Sequence, residues 1–105
     1  MTALPPAYFL ALSVLLLGVG VFGILTRRNF ILLLIAIEIA INAAILNFVA
    51  FGAFSGTSAG LTGQSIAVVL VGLAATEVAV GLAIVLALNR LRGSINVSEA
   101  TSLRF

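Results

Sequence analysis

Three long apolar stretches follow one another along this chain, and two short polar segments separate them. The stretches cover residues 4–26, 29–54 and 64–89. Each has at least the roughly 20 residues that an α-helix needs to cross the hydrocarbon core of a bilayer. The segments between them are Thr26–Asn29, which carries two arginines, and Ser55–Gly63, which has the Gly, Ser and Thr content of a loop. With a polar tail over 90–105, the pattern predicts an all-α membrane protein with three transmembrane helices in one domain, 1–105.

The composition supports the membrane assignment and limits the chemistry. Hydrophobic residues make up 63% and charged residues 8% of the 105 residues, whereas soluble domains carry about 25% charged residues. The sequence contains neither cysteine nor histidine, so the usual protein ligands of haem, iron–sulfur clusters, copper and zinc are missing. We therefore predict no cofactor and no metal site in this chain.

The basic residues predict the orientation in the membrane. They are Arg27, Arg28, Arg90, Arg92 and Arg104. With three membrane spans, the first loop and the C-terminus lie on the same side, so all five arginines fall there. The positive-inside rule then predicts an N-terminus outside (periplasmic) and a cytoplasmic C-terminus. These arginines form no basic face or groove, so we predict no binding of nucleic acid.

Small residues predict where helices approach each other closely. In the first span they are Gly18, Gly20 and Gly23, and in the third they form a ridge of Ala75, Ala79, Ala83 and Ala87. We predict a packing role for both sets. The Ser55–Gly63 segment has little to bury, so we predict a loop over its whole length.

Two glutamates interrupt the apolar stretches at similar depths. Glu38 lies ten residues beyond Arg28, which is about 15 Å of helix, and Glu77 lies thirteen residues before Arg90, which is about 20 Å. Because the core of a bilayer is about 30 Å thick, both carboxyl groups are predicted near its midplane. The third acid, Glu99, lies in the polar tail, where an exposed surface charge is expected.

An acid at this depth raises the free energy of membrane insertion, which indicates that the two glutamates have a function. A charged group at the bilayer centre costs about 2.5–3.5 kcal/mol on insertion scales, and burial without a cation disfavours the ionised form. A glutamate poised in this way can bind and release protons, so Glu38 and Glu77 are predicted to transfer protons. Asn42, one turn from Glu38, is predicted to support it, and Asn47 to pack or to form an interhelical hydrogen bond. The alternative is that both acids are neutral structural groups.

Several short motifs in this order resemble a known family. They are Arg27-Arg28-Asn29, Glu38-Ile39-Ala40-Ile41-Asn42, Gly63-Gln64, Ala74-Ala75-Thr76-Glu77 and Gly81-Leu82-Ala83. The chain resembles the K-subunit family of bacterial type I NADH:quinone oxidoreductases, the proton-translocating respiratory complex I, from the first span to the tail. The resemblance implies a membrane-arm subunit without a catalytic centre of its own, in the bacterial inner membrane.

The same resemblance implies the roles of particular residues and partners. Glu38 and Glu77 match the family's two intramembrane glutamates on the charge-transfer axis, and Arg27 and Arg28 match its cytoplasmic loop. Flavin, iron–sulfur clusters and quinone are expected in other subunits. The implied partners are the other membrane-arm subunits, in an obligate hetero-oligomer, and the lipid bilayer.

Three alternatives remain at this point. The small subunit of a multi-subunit cation/proton antiporter shares the fold, although the paired glutamates and the arginine loop favour the oxidoreductase. A small drug/proton antiporter is disfavoured because the first span is uncharged and tryptophan is absent. A purely structural assembly subunit would keep both glutamates only for packing.

Overall fold

The computed structural model describes residues 4–93 and 96–100, which form helices joined by short connections. The helices are α1 (Pro6–Thr26), α2 (Phe30–Phe54), α3 (Ser58–Arg92) and α4 (Val97–Ala100). The first three are long and apolar enough to cross a membrane, which confirms the predicted all-α fold. The 35 residues of α3 extend over about 52 Å at 1.5 Å per residue. This helix is therefore longer than the bilayer core is thick.

The ends of the long helices are set by particular residues. Asn29 caps α2, since its side-chain oxygen accepts hydrogen bonds from the backbone N–H groups of Ile31 at 2.9 Å and Leu32 at 3.4 Å. Gly93 ends α3 with a φ of +66°, and its N–H donates to the carbonyl of Asn89. The predicted polar turn at Thr26–Asn29 is confirmed as the connection between α1 and α2.

The central helix of the bundle is α2. The flanking helices α1 and α3 both pack against it, and they have few contacts with each other. Since connections of three residues join α1 to α2 and α2 to α3, these neighbours run antiparallel. The rings of Phe9 and Phe54, with centroids 5.7 Å apart, pair the beginning of α1 with the end of α2. Among the three long helices of residues 4–93, only α2 is therefore flanked on two sides.

Glycine allows α1 to approach α2 closely. A β-carbon placed on Gly20 would lie 2.8 Å from the backbone nitrogen of Ala40 and 2.9 Å from the carbonyl oxygen of Ala36. A β-carbon on Gly23 would lie 2.6 Å from the β-carbon of Ala36. The predicted packing role is confirmed for these two glycines. For Gly18 it stays a prediction, since a β-carbon there would meet no atom within 4 Å among the described residues.

Glycines also form the contact between α2 and the beginning of α3. A β-carbon on Gly60 would lie 2.6 Å from the carbonyl oxygen of Gly52, and one on Gly63 would lie 2.9 Å from that of Phe48. This contact explains why the predicted loop over Ser55–Gly63 is wrong beyond residue 57. Its small residues let two helix backbones touch, so the segment packs as helix.

The alanine ridge of α3 is exposed within the part of the chain that the structure describes. Ala75, Ala79, Ala83 and Ala87 are all exposed, while Ala67, Ala74 and Val85 face the interior. The rotation of α3 about its own axis decides which small residues face the interior and which remain exposed. The described residues of this chain do not cover the ridge, so its packing against a helix of another subunit stays a prediction.

Part of the C-terminal tail docks onto the first loop. The N–H of Val97 donates to the carbonyl of Arg28 at 2.7 Å, and Asn29 and Asn96 form an isolated antiparallel bridge. The first loop and the end of α3 therefore lie at the same end of the bundle. Arg104 and the side chain of Glu99, predicted to be on the surface, lie outside the described residues.

Candidate functional site

The packing of α2 on α3 brings the two glutamates to the same level. A β-carbon on Gly81 would lie 2.7 Å from a side-chain carbon of Leu34, so these two positions face each other. Because the helices are antiparallel, Glu38, four residues after Leu34, and Glu77, four residues before Gly81, lie at the same level of the bundle. The same register, eighteen residues along each helix, pairs Gly52 with Gly63, whose β-carbon would lie 3.2 Å from the Gly52 α-carbon.

Glu38 combines a half-buried side chain with an unused oxygen. Its Oε1 atom is buried and has no hydrogen-bond partner among the described residues. One turn from Leu34, it lies on the side of α2 that faces α3. A buried carboxyl oxygen without a donor is costly, so this group needs a bound proton, a water molecule or a donor from another chain.

Glu77 lines an open groove between α2 and α3. The groove has a volume of about 430 Å³ and is lined by Leu34, Ile37, Thr76, Glu77, Val80, Gly81 and Ile84. Glu77 is the only ionisable side chain among these residues, and it is exposed in the isolated chain. The hydroxyl of Thr76 donates to the carbonyl of Leu73 at 2.7 Å. Its proton is therefore not directed at the neighbouring carboxylate.

The arrangement of the two acids suits proton binding, but the described residues do not connect the two carboxyl groups directly. No hydrogen bond or ion pair joins Glu38 to Glu77, or either of them to an arginine, within residues 4–93 and 96–100. Each carboxyl can hold one proton, and transfer between them requires an intervening water or a further side chain. The chemistry available to the pair is therefore proton binding and release.

The predicted supporting residues lie at different places. Asn42 is exposed, and the structure shows no hydrogen bond from it to Glu38, so its supporting role stays a prediction. Arg27 and Arg28 are exposed in the first loop, where the backbone N–H of Arg27 donates to the carbonyl of Gly23 at 3.0 Å. With Arg90 at the end of α3, they place positive charge at the end of the bundle, away from the acids.

Asn47 is a candidate that sequence reasoning assigned only to packing or to an interhelical hydrogen bond. Its Oδ1 atom is buried and lacks a hydrogen-bond partner within the described chain, as does Oε1 of Glu38. Seven residues from Ala40, it lies towards the side of α2 that faces α1, and it also lines a pocket with Ala59 and Gly63 of α3. Gly20 contacts Ala40, and Ser13 lies seven residues before Gly20 on the antiparallel helix α1. Asn47 is therefore at the level of Ser13, whose buried hydroxyl donates to the Leu10 carbonyl. Spacing alone does not reveal this burial.

Replacing this amide tests whether its oxygen is without a partner in the native assembly. We expect Asn47→Leu to leave the thermal stability of the purified native assembly equal to wild type or higher. The reason is that an unpaired buried polar group costs about 1–3 kcal/mol, and leucine removes it. A clear drop in the unfolding temperature would contradict this expectation and reveal a partner for Asn47 on another chain.

Comparison with known proteins gives consistent matches over the length of the chain. Residues 8–104 match the family described as NADH-ubiquinone/plastoquinone oxidoreductase chain 4L. A protein of Anaeromyxobacter dehalogenans named NADH-quinone oxidoreductase subunit K is 45% identical over 100 residues, covering 95% of this chain and 98% of the relative. A protein of the same name from Bacillus anthracis is 43% identical over 104 residues, 99% of each chain.

Proposed function

We propose a proton-transfer role for Glu38 and Glu77 from the premise that this chain belongs to the family of NADH-ubiquinone/plastoquinone oxidoreductase chain 4L, with subunit K of bacterial NADH-quinone oxidoreductase among its relatives. The chain is thus a membrane-arm subunit of that complex, and the other subunits are its partners. As part of an oxidoreductase, it acts through carboxyl groups and not through a complete active site of its own.

The observation that carries the proposal is the shared level of the two acids on adjacent antiparallel helices. Leu34 facing Gly81 sets this level. Two carboxyl groups at one depth cannot carry a proton across a bilayer about 30 Å thick. They pass it sideways, in the plane of the membrane, and neighbouring subunits take it in and release it.

The surroundings of each acid support a path that continues outside the chain. The Oε1 atom of Glu38 is buried without a donor in the described residues, so it accepts a hydrogen bond from water or from a neighbouring subunit. Glu77 lies in a groove that is open to whatever packs against α2 and α3. Quinone reduction elsewhere in the complex changes the protonation or hydration of these two carboxyl groups, and this change drives the transfer.

The electron carriers belong to other subunits in this proposal. The sequence has no cysteine and no histidine, the residues that hold iron–sulfur clusters and haem. Iron–sulfur clusters are therefore assigned to other subunits, and the family membership supports the same assignment for flavin and quinone. This chain responds to the redox reaction through its acids.

The arginines support an orientation in the bacterial inner membrane. Arg27 and Arg28 lie in the first loop and Arg90 and Arg92 at the end of α3, which the Val97–Arg28 hydrogen bond brings to one end of the bundle. By the positive-inside rule, this end is cytoplasmic and the N-terminus is periplasmic. The groove of Glu77 then opens within the membrane.

The Glu77→Gln variant of the complex tests the role directly. We expect NADH-driven proton pumping in reconstituted vesicles to fall severalfold, because the amide keeps the size of the side chain and removes its acidic proton. Glu77→Asp is the matched control: it keeps the acid and should retain more pumping than the amide. Unchanged pumping in a fully assembled Glu77→Gln complex would show that Glu77 is structural.

A further inference from the structure

A second groove lies between α1 and α2, away from the glutamates. It has a volume of about 300 Å³ and is lined by Val19, Phe22, Gly23, Arg27, Leu32, Ile35, Ala36 and Ile39. Seven of these eight residues are apolar, and the eighth is an arginine. The proton path proposed above uses none of them.

The groove runs from the arginine end into one leaflet. Val19 lies eight residues before Arg27, which is about 12 Å along the chain at helical rise, and Ile39 lies seven residues beyond Leu32, about 10 Å along α2. One leaflet contributes about 15 Å of the hydrocarbon core. The groove therefore has the depth of most of one leaflet and a cation at its mouth.

The rims of the groove disfavour a transmembrane helix as its occupant. Helices in lipid approach each other over small residues, as Gly20 and Gly23 do on Ala36 and Ala40. Here the rims carry exposed bulky side chains, among them Phe22 at 62%, Val19 at 57% and Ile35 at 49% exposure. A flexible acyl chain fits between such side chains more readily than a second helix does.

Arg27, at the end of the groove nearest the first loop, favours a lipid with an anionic head group. The guanidinium of Arg27 is exposed and has no hydrogen bond or ion pair within the described residues. Its planar donors match a phosphate group. Arg28, Arg90 and Arg92 lie at the same end of the bundle, and clustered arginines attract anionic lipids at about 1 kcal/mol each.

We propose that this groove binds an anionic phospholipid, with one acyl chain between α1 and α2 and the phosphate on Arg27. The site is independent of the acids, so it stands or falls separately from the proton-transfer role. Its occupant belongs to the leaflet on the arginine side.

Photolabelling of the intact complex tests the site. The wild-type complex is reconstituted with phosphatidylglycerol that carries a diazirine in its acyl chain, and labelled residues are mapped by mass spectrometry. We expect labels on groove residues such as Ile35 and Ile39 to exceed those on Leu25, which is exposed outside the groove. A matched phosphatidylethanolamine probe should label the groove severalfold less.

A pair of arginine variants supplies the control. Arg27→Gln should reduce groove labelling about fivefold, the effect of about 1 kcal/mol, while Arg28→Gln, the same change one residue away and outside the groove, should reduce it less than twofold. Equal loss in both variants would overturn the proposal in favour of general charge attraction. Absence of groove labels in the wild type would overturn it too, since a neighbouring subunit then covers the face. If a variant fails to assemble, the two wild-type probes decide alone.

Discussion

Proton pumping by a complex with both Glu38→Gln and Glu77→Gln is expected to fall severalfold, because each change removes a positioned proton donor. The contact of Leu34 with Gly81 sets the register of α2 and α3, so the two acids lie at one level on adjacent helices. If they act in series, losing either one interrupts the same path. The double variant should then pump about as poorly as the worse single variant.

The measurement compares four complexes in proteoliposomes: wild type, the two single variants and the double variant. NADH oxidation, vesicle acidification and the amount of assembled complex are recorded for each. Mild losses in both single variants and a severe loss in the double variant would indicate parallel routes, and impairment of Glu77→Gln alone would mean that Glu77 suffices. Wild-type pumping in a fully assembled double variant would contradict the proton-transfer role and favour a structural subunit.

Replacing Gly20 by valine is expected to abolish most of the assembled complex, whereas Gly18→Val should assemble nearly normally. A β-carbon on Gly20 would lie 2.8 Å from the backbone nitrogen of Ala40 and 2.9 Å from the carbonyl oxygen of Ala36, while one on Gly18 meets nothing within 4 Å. Backbone atoms cannot move aside as a flexible side chain can, so α1 must separate from α2. Overpacking of this kind costs about 1–3 kcal/mol or more.

The two glycine variants are closely matched, because they lie two residues apart in the same helix and receive the same side chain. Native gel electrophoresis of solubilised membranes measures the assembled complex, and quantitative mass spectrometry measures the amount of this subunit. Gly20→Ala should give an intermediate loss, since even one methyl group enters the contact. Equal assembly of the Gly18 and Gly20 variants would show that α1 does not pack on α2 through Gly20.

Much of the candidate site could be predicted from the order of residues along the chain. The three helices, the arginine turn and the comparable depths of Glu38 and Glu77 depend on hydrophobic length and on helical rise, which are one-dimensional quantities. The same reasoning was wrong where the composition of a segment suits both a loop and close helix packing. Ser55–Gly63 has the composition of a loop, yet Gly60 and Gly63 lie against α2 because small residues also let helices touch.

The sequence by itself determined a membrane protein of three helices with two acids at matched depth, because burial in lipid requires apolar length and makes charge costly. Only the tertiary structure decided how each helix is rotated about its own axis. It turned Gly20 inward and Gly18 outward, left the Ala75–Ala87 ridge uncovered, opened a groove at Glu77 and buried an unpaired oxygen on Glu38. Helices that are apolar on every side carry no amphipathic face to reveal that rotation. It is fixed by contacts between backbones at glycine and alanine, which depend on the neighbouring helix.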